Sequence, residues 1–460
     1  MKKFIAIIFV ALICLSLTGC NINFSSVDIL MRPPKLSGKN SLLQKTFEET
    51  IGNSDSIVMK TPVSGENRSS YLLFDLNNDS VSEALVLYAD PSKDSLAYIS
   101  IFKFANEKWF FVSTIKGRSE EIFAIDFADI NGDGNSEIFI SWASTTMQPD
   151  SMNSAGLGSI NDKNLAIYSY NGNSTTLIKN ESYTKLLLED VNNDNAVDLF
   201  ILNIGLSNQE KVSVGRVVSF DREYFVINDF KFNLTGMLDI YNIVCDTYNR
   251  NDEKHTRVYI DGAISENGII TEVVDINHTD FNISLPFYES NISAQPLTLR
   301  NMHVYSQDFD NDGIVEIPTL EQLAGGVRIP ENSESKQYLN LTVWSEIQTD
   351  TLTVDSKCFF NGTHDYMFMI PDNWSGKYTA VYNENDALLT FYSMDENLTL
   401  INKLFSVKAF TDKKWKESNP NYTDFDENGI YVYCYQIFDT KNENQYIDFI
   451  ENNFTSIKQG

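Results

Sequence analysis

The sequence predicts a mainly β chain built from one repeated antiparallel unit, followed by a small α+β segment. Three observations carry this. A nine-residue acidic stretch recurs along most of the chain. An apolar run of strand length leads into each copy, and for most copies another leads out. Between copies lie further short runs joined by tight Asn/Gly turns, such as Tyr170-Asn171-Gly172-Asn173, which is how hairpin-linked strands read in sequence.

The clearest copy runs from Asp129 to Glu137 and places oxygen-bearing side chains at positions one, three, five and nine (Asp129, Asn131, Asp133, Glu137), with Gly134 at six. Ile122, Phe123 and Ile125 lead in; Ile138, Phe139, Ile140 and Trp142 lead out. An earlier copy holds Asp75, Asn77, Asp79 and Glu83, and a later one Asp190, Asn192, Asp194 and Asp198. The last clear copy holds Asp308, Asp310, Asp312 and Glu316, with Gly313 at six. Their first positions lie 54, 61 and 118 residues apart. The third interval is close to two periods, so a worn copy is expected between. Asp246 answers to it, following Ile243-Val244-Cys245, but Tyr248 stands at its third position. That copy has lost its loop chemistry, and no metal is expected there.

A repeated four-stranded sheet of roughly 40–60 residues is a propeller blade. The expected fold is therefore a β-propeller over residues 54–348, with five repeats detected and five to seven blades. The D-x-[DN]-x-D-G-x-x-[DE] loop after an apolar strand also resembles the FG-GAP/VCBS repeat of integrin alpha-chain propellers and related bacterial surface proteins. The resemblance spans residues 54–345. Propellers of that family usually have seven blades, more than the five units found here.

The loops are candidate calcium sites. Calcium takes six to eight oxygen ligands in a forgiving geometry, and alternate side chains of a curling loop can point inward, with the ninth carboxylate closing the cage. Glycine at position six permits the reversal; Ser80 and Asn195 replace it in two copies. An EF-hand is excluded, because its position twelve requires Glu and here that position is Val86, Ile140, Ile201 or Thr319. Asp, Asn and Gly also form hairpin turns without metal. Bound calcium would pin strands rather than do chemistry.

The chain opens with Lys2, Lys3 and an apolar run from Phe4 to Leu17, ending in Leu17-Thr18-Gly19-Cys20. This is a targeting segment, and its end resembles the lipobox of bacterial lipoproteins. The resemblance implies cleavage after residue 19, lipidation of Cys20 and anchoring on the extracytoplasmic face of the cell membrane. Residues 20–53 read as a lipidated tether with Pro33-Pro34, then a short helix from Ser41 to Ile51 whose Leu43, Phe47 and Ile51 share a face and which Gly52 stops. The helix is expected to cover an edge or end of the repeat region.

Acidic residues outnumber basic ones by 63 to 35, for a net charge of −28. Such a surface repels nucleic acid and anionic lipid and concentrates cations. Cys245, Cys358 and Cys434 remain after the leader and the lipid site, so there is no disulfide framework, although Cys358 and Cys434 could pair. Residues 349–460 break the period and read as an α+β domain. It ends in an amphipathic helix bearing Tyr446, Ile450, Phe454 and Ile457 on one face; Trp374 and Tyr378 read as core aromatics. No nucleophile elbow, His-x-x-x-His or phosphate loop occurs. The function expected is a membrane-anchored binding or adhesion module for an unknown protein or glycan. The alternative is a hydrolase or lyase acting on envelope polysaccharide in the propeller channel.

Overall fold

The computed structural model describes residues 39–52, 56–143, 158–159, 163–207, 210–234, 236–266, 268–289, 297–333, 335–348, 351–411 and 419–457. The expected leader, Cys20 and most of the expected tether lie outside these residues, as does most of the insert expected between Thr145 and Asn164.

The protein is mainly β, and most of its strands lie in successive antiparallel sheets. Helix α1 (Lys39–Ile51) comes first. The first sheet holds β1 (Val58–Met59), β2 (Tyr71–Phe74), β3 (Glu83–Ala89), β4 (Ala97–Ala105) and β5 (Lys108–Lys116); β2 to β5 form a meander and β1 extends it beside β2. The second holds β6 (Ile122–Ala128) and β7 (Glu137–Trp142), then β9 (Lys163–Tyr170) and β10 (Thr175–Tyr183). The intervening β8 (Gly158–Ser159) crosses to the third sheet and pairs with β12. That third sheet runs β11 (Lys185–Glu189), β12 (Asp198–Ser207), β13 (Glu210–Phe220) and β14 (Val226–Leu234). The fourth runs β15 (Asp239–Arg250), β16 (Glu253–Ser265), β17 (Gly268–Asn277) and β18 (Ile283–Ser284).

These sheets stack face to face in chain order. Leu85, Leu87, Ile99 and Ile101 of the first meet Ile125, Ile138, Ile140 and Trp142 of the second in one apolar cluster. Phe139 and Ile167 of the second meet Leu199, Ile201 and Val218 of the third. A third cluster joins Phe200, Leu202 and Val217 to Val258, Ile260 and Val274 of the fourth sheet and on to Ile317 and Ile347. Inner strands are thus apolar on both faces, and all seven residues of β3 and all six of β7 are buried. This is why they read as continuous apolar runs rather than alternations.

The stack begins under a helix. Leu43 and Phe47 of α1 cover Ala84, Val86, Tyr88, Phe102 and Trp109 on the free face of the first sheet. Phe47 packs edge-on against Tyr88 and Phe102 with ring centroids 5.1 and 6.4 Å away. Gly52 ends α1 at φ +100° with its N–H on Glu48 O, so the helix is used as expected.

The stack ends in a ten-stranded sheet. The meander β19 (Ile317–Ile329), β20 (Gln337–Gln348), β21 (Thr351–Asn361) and β22 (Tyr366–Met369) continues the repeat. Strands β23 (Tyr378–Asn383), β24 (Leu388–Met394), β25 (Leu400–Phe410), β26 (Thr423–Glu427) and β27 (Val432–Ile437) extend it past β19, to which β23 is parallel. Residue 348 closes a strand inside this sheet, so the change of pattern there marks a hairpin and leaves the hydrogen-bonded ladder intact. Helix α2 (Glu443–Asn453) is shorter than its periodicity suggests. Phe454 turns to extended φ/ψ after capping Ile450 O and begins β28 (Phe454–Ser456), which pairs with β22. The two end strands then approach each other: the Phe425 and Phe454 rings lie 4.8 Å apart, and Asn428 donates to Ile457 O at 3.2 Å. The sheet nearly closes around Phe368, Phe391, Phe405, Tyr366 and Tyr433, with Ile450 inserted. Trp374 stacks on Phe449 at 4.4 Å and meets Tyr378 at 4.7 Å, as core aromatics do. No disulfide joins Cys245, Cys358 and Cys434, so Cys358 and Cys434 do not pair.

If α1 seals the first sheet, Phe47→Ala destabilises the fold by about 3–5 kcal/mol, the range for truncating a buried Phe. Urea denaturation measures it, and an unchanged midpoint would mean the helix is dispensable.

Candidate metal centres

The first three acidic loops connect strands as expected; the last follows only an isolated bridge, Gln307 with Glu316, in place of the expected strand at residues 303–305, and leads into β19. All four share one set of hydrogen bonds. In each, the first Asp accepts the N–H of position six: Ser80, Gly134, Asn195 and Gly313, at 2.7 to 3.0 Å. The position-three oxygen accepts the N–H of position five, and the position-five carboxylate that of position seven. The ninth carboxylate reaches back to the N–H of position two: Glu83 to Leu76, Glu137 to Ile130, Asp198 to Val191 and Glu316 to Phe309. A turn of this kind would otherwise leave these backbone donors unpaired beside the buried strand ends.

The reversal uses two left-handed residues. Position six has φ +69° at Ser80, +90° at Gly134, +69° at Asn195 and +93° at Gly313. Position four is left-handed as well, at Asn78, Gly132, Asn193 and Asn311. The sequence reading missed this second requirement, although the signal was present: each of the four is Asn or Gly, the residues that tolerate this region best.

The loops also contact one another. Ser136 N–H donates to Leu76 O and Val197 N–H to Asp129 O, both at 2.8 Å, linking the first three loops in a row. Tyr170 and Tyr224 donate to Glu83 and Glu137 at 3.2 and 2.8 Å, each hydroxyl coming from the sheet after the one it ties. Neither tyrosine was legible in advance, because their sequence separation from the carboxylate is 87 residues. The worn copy forms no such loop. Asp246 sits within the continuous strand β15, opposite Arg257, and accepts Tyr259 OH at 2.9 Å and Val315 N–H of the last loop at 2.8 Å.

The last loop differs from the others in charge. In the first three, the Asn at position three donates its amide to the carboxylate at five: Asn77 to Asp79, Asn131 to Asp133, Asn192 to Asp194. The last has Asp310 there and so gathers four carboxylates. Asp308, Asp310 and Glu316 present oxygens all within 4.8 Å of one another, the only such acidic group among the described residues. Glu316 is fully buried, and its Oε1 has no hydrogen-bond partner. A buried anionic oxygen without a donor is costly, and a divalent cation relieves it. Burial pushes Glu316 up to about 7, with Asp310 and Asp312 adding repulsion. Burial likewise pushes Glu137 and Asp198 up to about 7 and raises Glu83.

A separate groove of about 620 Å³ lies between the segment around Gly65 and Glu66 and the strand bearing Leu186 and Leu188. Phe74 and Phe127 stack at 4.3 Å beside it. The ammonium of Lys163 is spent on Thr184 O at 2.8 Å and lies over the Phe123 ring, while Lys185 donates to Tyr241 O at 3.3 Å. Asp126 faces the groove with its carboxyl raised, first by burial and then by Glu66.

No family model matches the chain, and no curated protein matches it. Among solved structures, the chain is similar to a hypothetical selenium-binding protein from Sulfolobus tokodaii at 9% identity and a TM-score of 0.25, over 49% of this chain and 55% of that one. It is similar to a rhamnogalacturonan lyase from Bacillus licheniformis at 9% identity and 0.26, over 75% and 77%. An alpha-L-arabinofuranosidase from Fusarium graminearum is similar at 10% and 0.25, over 75% and 94%. These superpositions are too loose to transfer an activity.

The buried ninth carboxyls set a pH dependence. Glu137, Asp198 and Glu316 titrate near 7 when folded and near 4 when unfolded. Between those values the folded chain holds more protons, so stability falls as pH rises. In EDTA, the melting temperature should drop between about pH 5 and 8, and Glu316→Gln should flatten part of the slope. Calorimetry checks this; a rise over that window contradicts it.

Proposed function

We propose that this is a lipid-anchored extracytoplasmic binding module, a propeller-type stack of sheets whose acidic loops hold structural calcium. One observation carries the metal reading: Glu316, fully buried and with one oxygen unpartnered, brings a carboxylate oxygen within 4.8 Å of those of Asp308 and Asp310. Asp312 would complete the side-chain ligands. The other three loops repeat the geometry with one carboxylate fewer, so the last loop is the tightest site. Calcium there would stabilise the fold by binding only the folded state. It would also neutralise part of a net charge of −28.

Lipidation of Cys20 belongs to the same reading and would hold the stack at the cell membrane. Binding, rather than turnover, is supported by the groove, whose lysine ammoniums are both engaged by backbone carbonyls and whose walls are aromatic. A protein or glycan segment presenting apolar faces and hydrogen-bond donors suits it. The second reading, cleavage of an envelope polysaccharide, is favoured by the raised carboxyl of Asp126 facing that groove; a protonated acid is what glycoside cleavage uses.

Millimolar calcium should raise the melting temperature over that in EDTA, and the pair Asp308→Asn, Asp310→Asn should remove most of the rise. An equal melting temperature with and without metal would sink the calcium reading. Incubation with envelope glycans separates the two functions: saturable binding without product supports the module, and product formation that Asp126→Asn abolishes supports the enzyme. Mass spectrometry of the mature amino terminus reads out acylation of Cys20, which Cys20→Ala removes.

A further inference from the structure

Two acids, Asp126 and Glu66, line the groove beside Gly65. The segment from Val63 to Asn67 runs along β6 and builds its rim. Val63 N–H donates to Ile122 O at 3.1 Å, Ser64 N–H to Phe123 O at 2.8 Å, and the Asn67 amide to Ile125 O at 2.9 Å. Those bonds lay the turn beside Asp126. Gly65 sits there at φ +78°, and a Cβ built on it would stand 4.0 Å from Asp126 Oδ1. Asp126 is half-buried on the strand, whereas Glu66 is exposed on the rim.

The donors nearby are committed elsewhere. Arg68 clamps the turn, donating to Gly65 O at 3.2 Å and Val63 O at 2.9 Å. Lys163 and Lys185 serve the carbonyls of Thr184 and Tyr241. Tyr183 gives its hydroxyl proton to Ser141 Oγ at 2.7 Å. Among the described residues, the carboxylates of Asp126 and Glu66 form no hydrogen bond and no ion pair. Burial and then the Glu66 charge raise the Asp126 carboxyl, the condition an incoming cation reverses. Phe123 lines the groove with Phe74 and Phe127, which stack at 4.3 Å, and aromatic faces attract cations most where water is excluded.

An unpaired carboxylate beside aromatic walls discriminates among ligands. A sugar hydroxyl brings no charge to Asp126, and a lysine ammonium is a compact, strongly hydrated point charge. A guanidinium is planar and weakly hydrated, forks onto a carboxylate and stacks on rings. We propose that the groove is an arginine-recognition site, where the guanidinium of a partner protein pairs with Asp126 beside the Phe74–Phe127 stack while Glu66 attracts it from the rim. The proposal rests on the reading of this groove as a binding surface and names what the bound segment carries. The aliphatic stem of such an arginine covers apolar wall as its head reaches the acid.

Fluorescence anisotropy tests this on the full chain in detergent micelles. The probes are three dye-labelled capped peptides with arginine, lysine or the neutral isostere citrulline between glycines. The arginine peptide should bind saturably and weaken with added salt. Citrulline should bind at least roughly tenfold more weakly, and lysine should fall between them. Asp126→Asn should weaken the arginine peptide by about tenfold, and Glu66→Gln, at an exposed position, by less. The pair Glu396→Gln, Glu451→Gln, on the terminal sheet and α2, removes acid elsewhere and should leave binding unchanged. Circular dichroism checks that each variant is folded. Equal binding of arginine and citrulline, or an equal loss in the control pair, overturns the inference. Saturable glycan binding that the arginine peptide does not compete also overturns it, yet leaves the binding reading standing. Binding of neither peptide nor glycan removes both.

Discussion

A four-stranded sheet that is apolar on both faces cannot stand alone. Every other feature of this protein depends on how those faces are covered. Each sheet buries one face on its predecessor and one on its successor, so two faces are left over at the ends. The first is covered by α1. The second is avoided: the last meander grows strands on both sides until it curls round its own core. A ring would have closed the stack by setting the last sheet against the first. Among the described residues the first sheet's free face belongs instead to a helix, and the terminal segment is an end cap built from the sheet it caps.

Stacking also dictates where the loops go. Successive sheets approach closely at the ends of their first two strands, and the turns there must be compact, polar and free of unpaired backbone donors. An aspartate at position one, taking the position-six N–H, meets that need in all four acidic loops. The result places carboxylates where burial and mutual repulsion both oppose ionisation. Tyrosine hydroxyls ease this at Glu83 and Glu137. Glu316 has no such hydroxyl on its free oxygen, and that asymmetry singles out the last loop. A loop can serve as a turn without metal, yet the more carboxylates it holds the more the folded state gains from a cation.

Local chemistry was legible in the sequence, and non-local chemistry was not. The acidic loop, its four clear occurrences and the cover given by Leu43 and Phe47 come from period and turn residues, whose effects act within a few positions. The fate of residues 349–460 does not. The parallel pairing of Val327 with Val381 joins strands more than fifty residues apart, and nothing in either strand's alternation names its partner. Phe454 shows the same limit at short range: it keeps helical spacing with Tyr446 and Ile450, but pairing with Phe368 draws it into a strand. Tyr170 and Tyr224 were invisible for the reason Val381 was.

The worn repeat shows what the loop is for by how it was replaced. In the fourth sheet β15 continues through Asp246 to Arg250, and Arg257 of β16 lies in register between Asp246 and Asp275. Its guanidinium is buried, 3.5 Å from the Tyr248 ring and 3.7 Å from Asp275, and donates to Ile347 O. An aspartate survives at position one and still meets the neighbouring loop, through Val315 N–H. The positive charge beside it is covalently part of the chain. Among the described residues the carboxylates of the other loops form no ion pair, whereas this sheet sets a guanidinium in register with its aspartate and dispenses with the turn. Common to all five is an acid at the sheet end where one repeat meets the next, and the acidic loop is one of two ways the chain places it there.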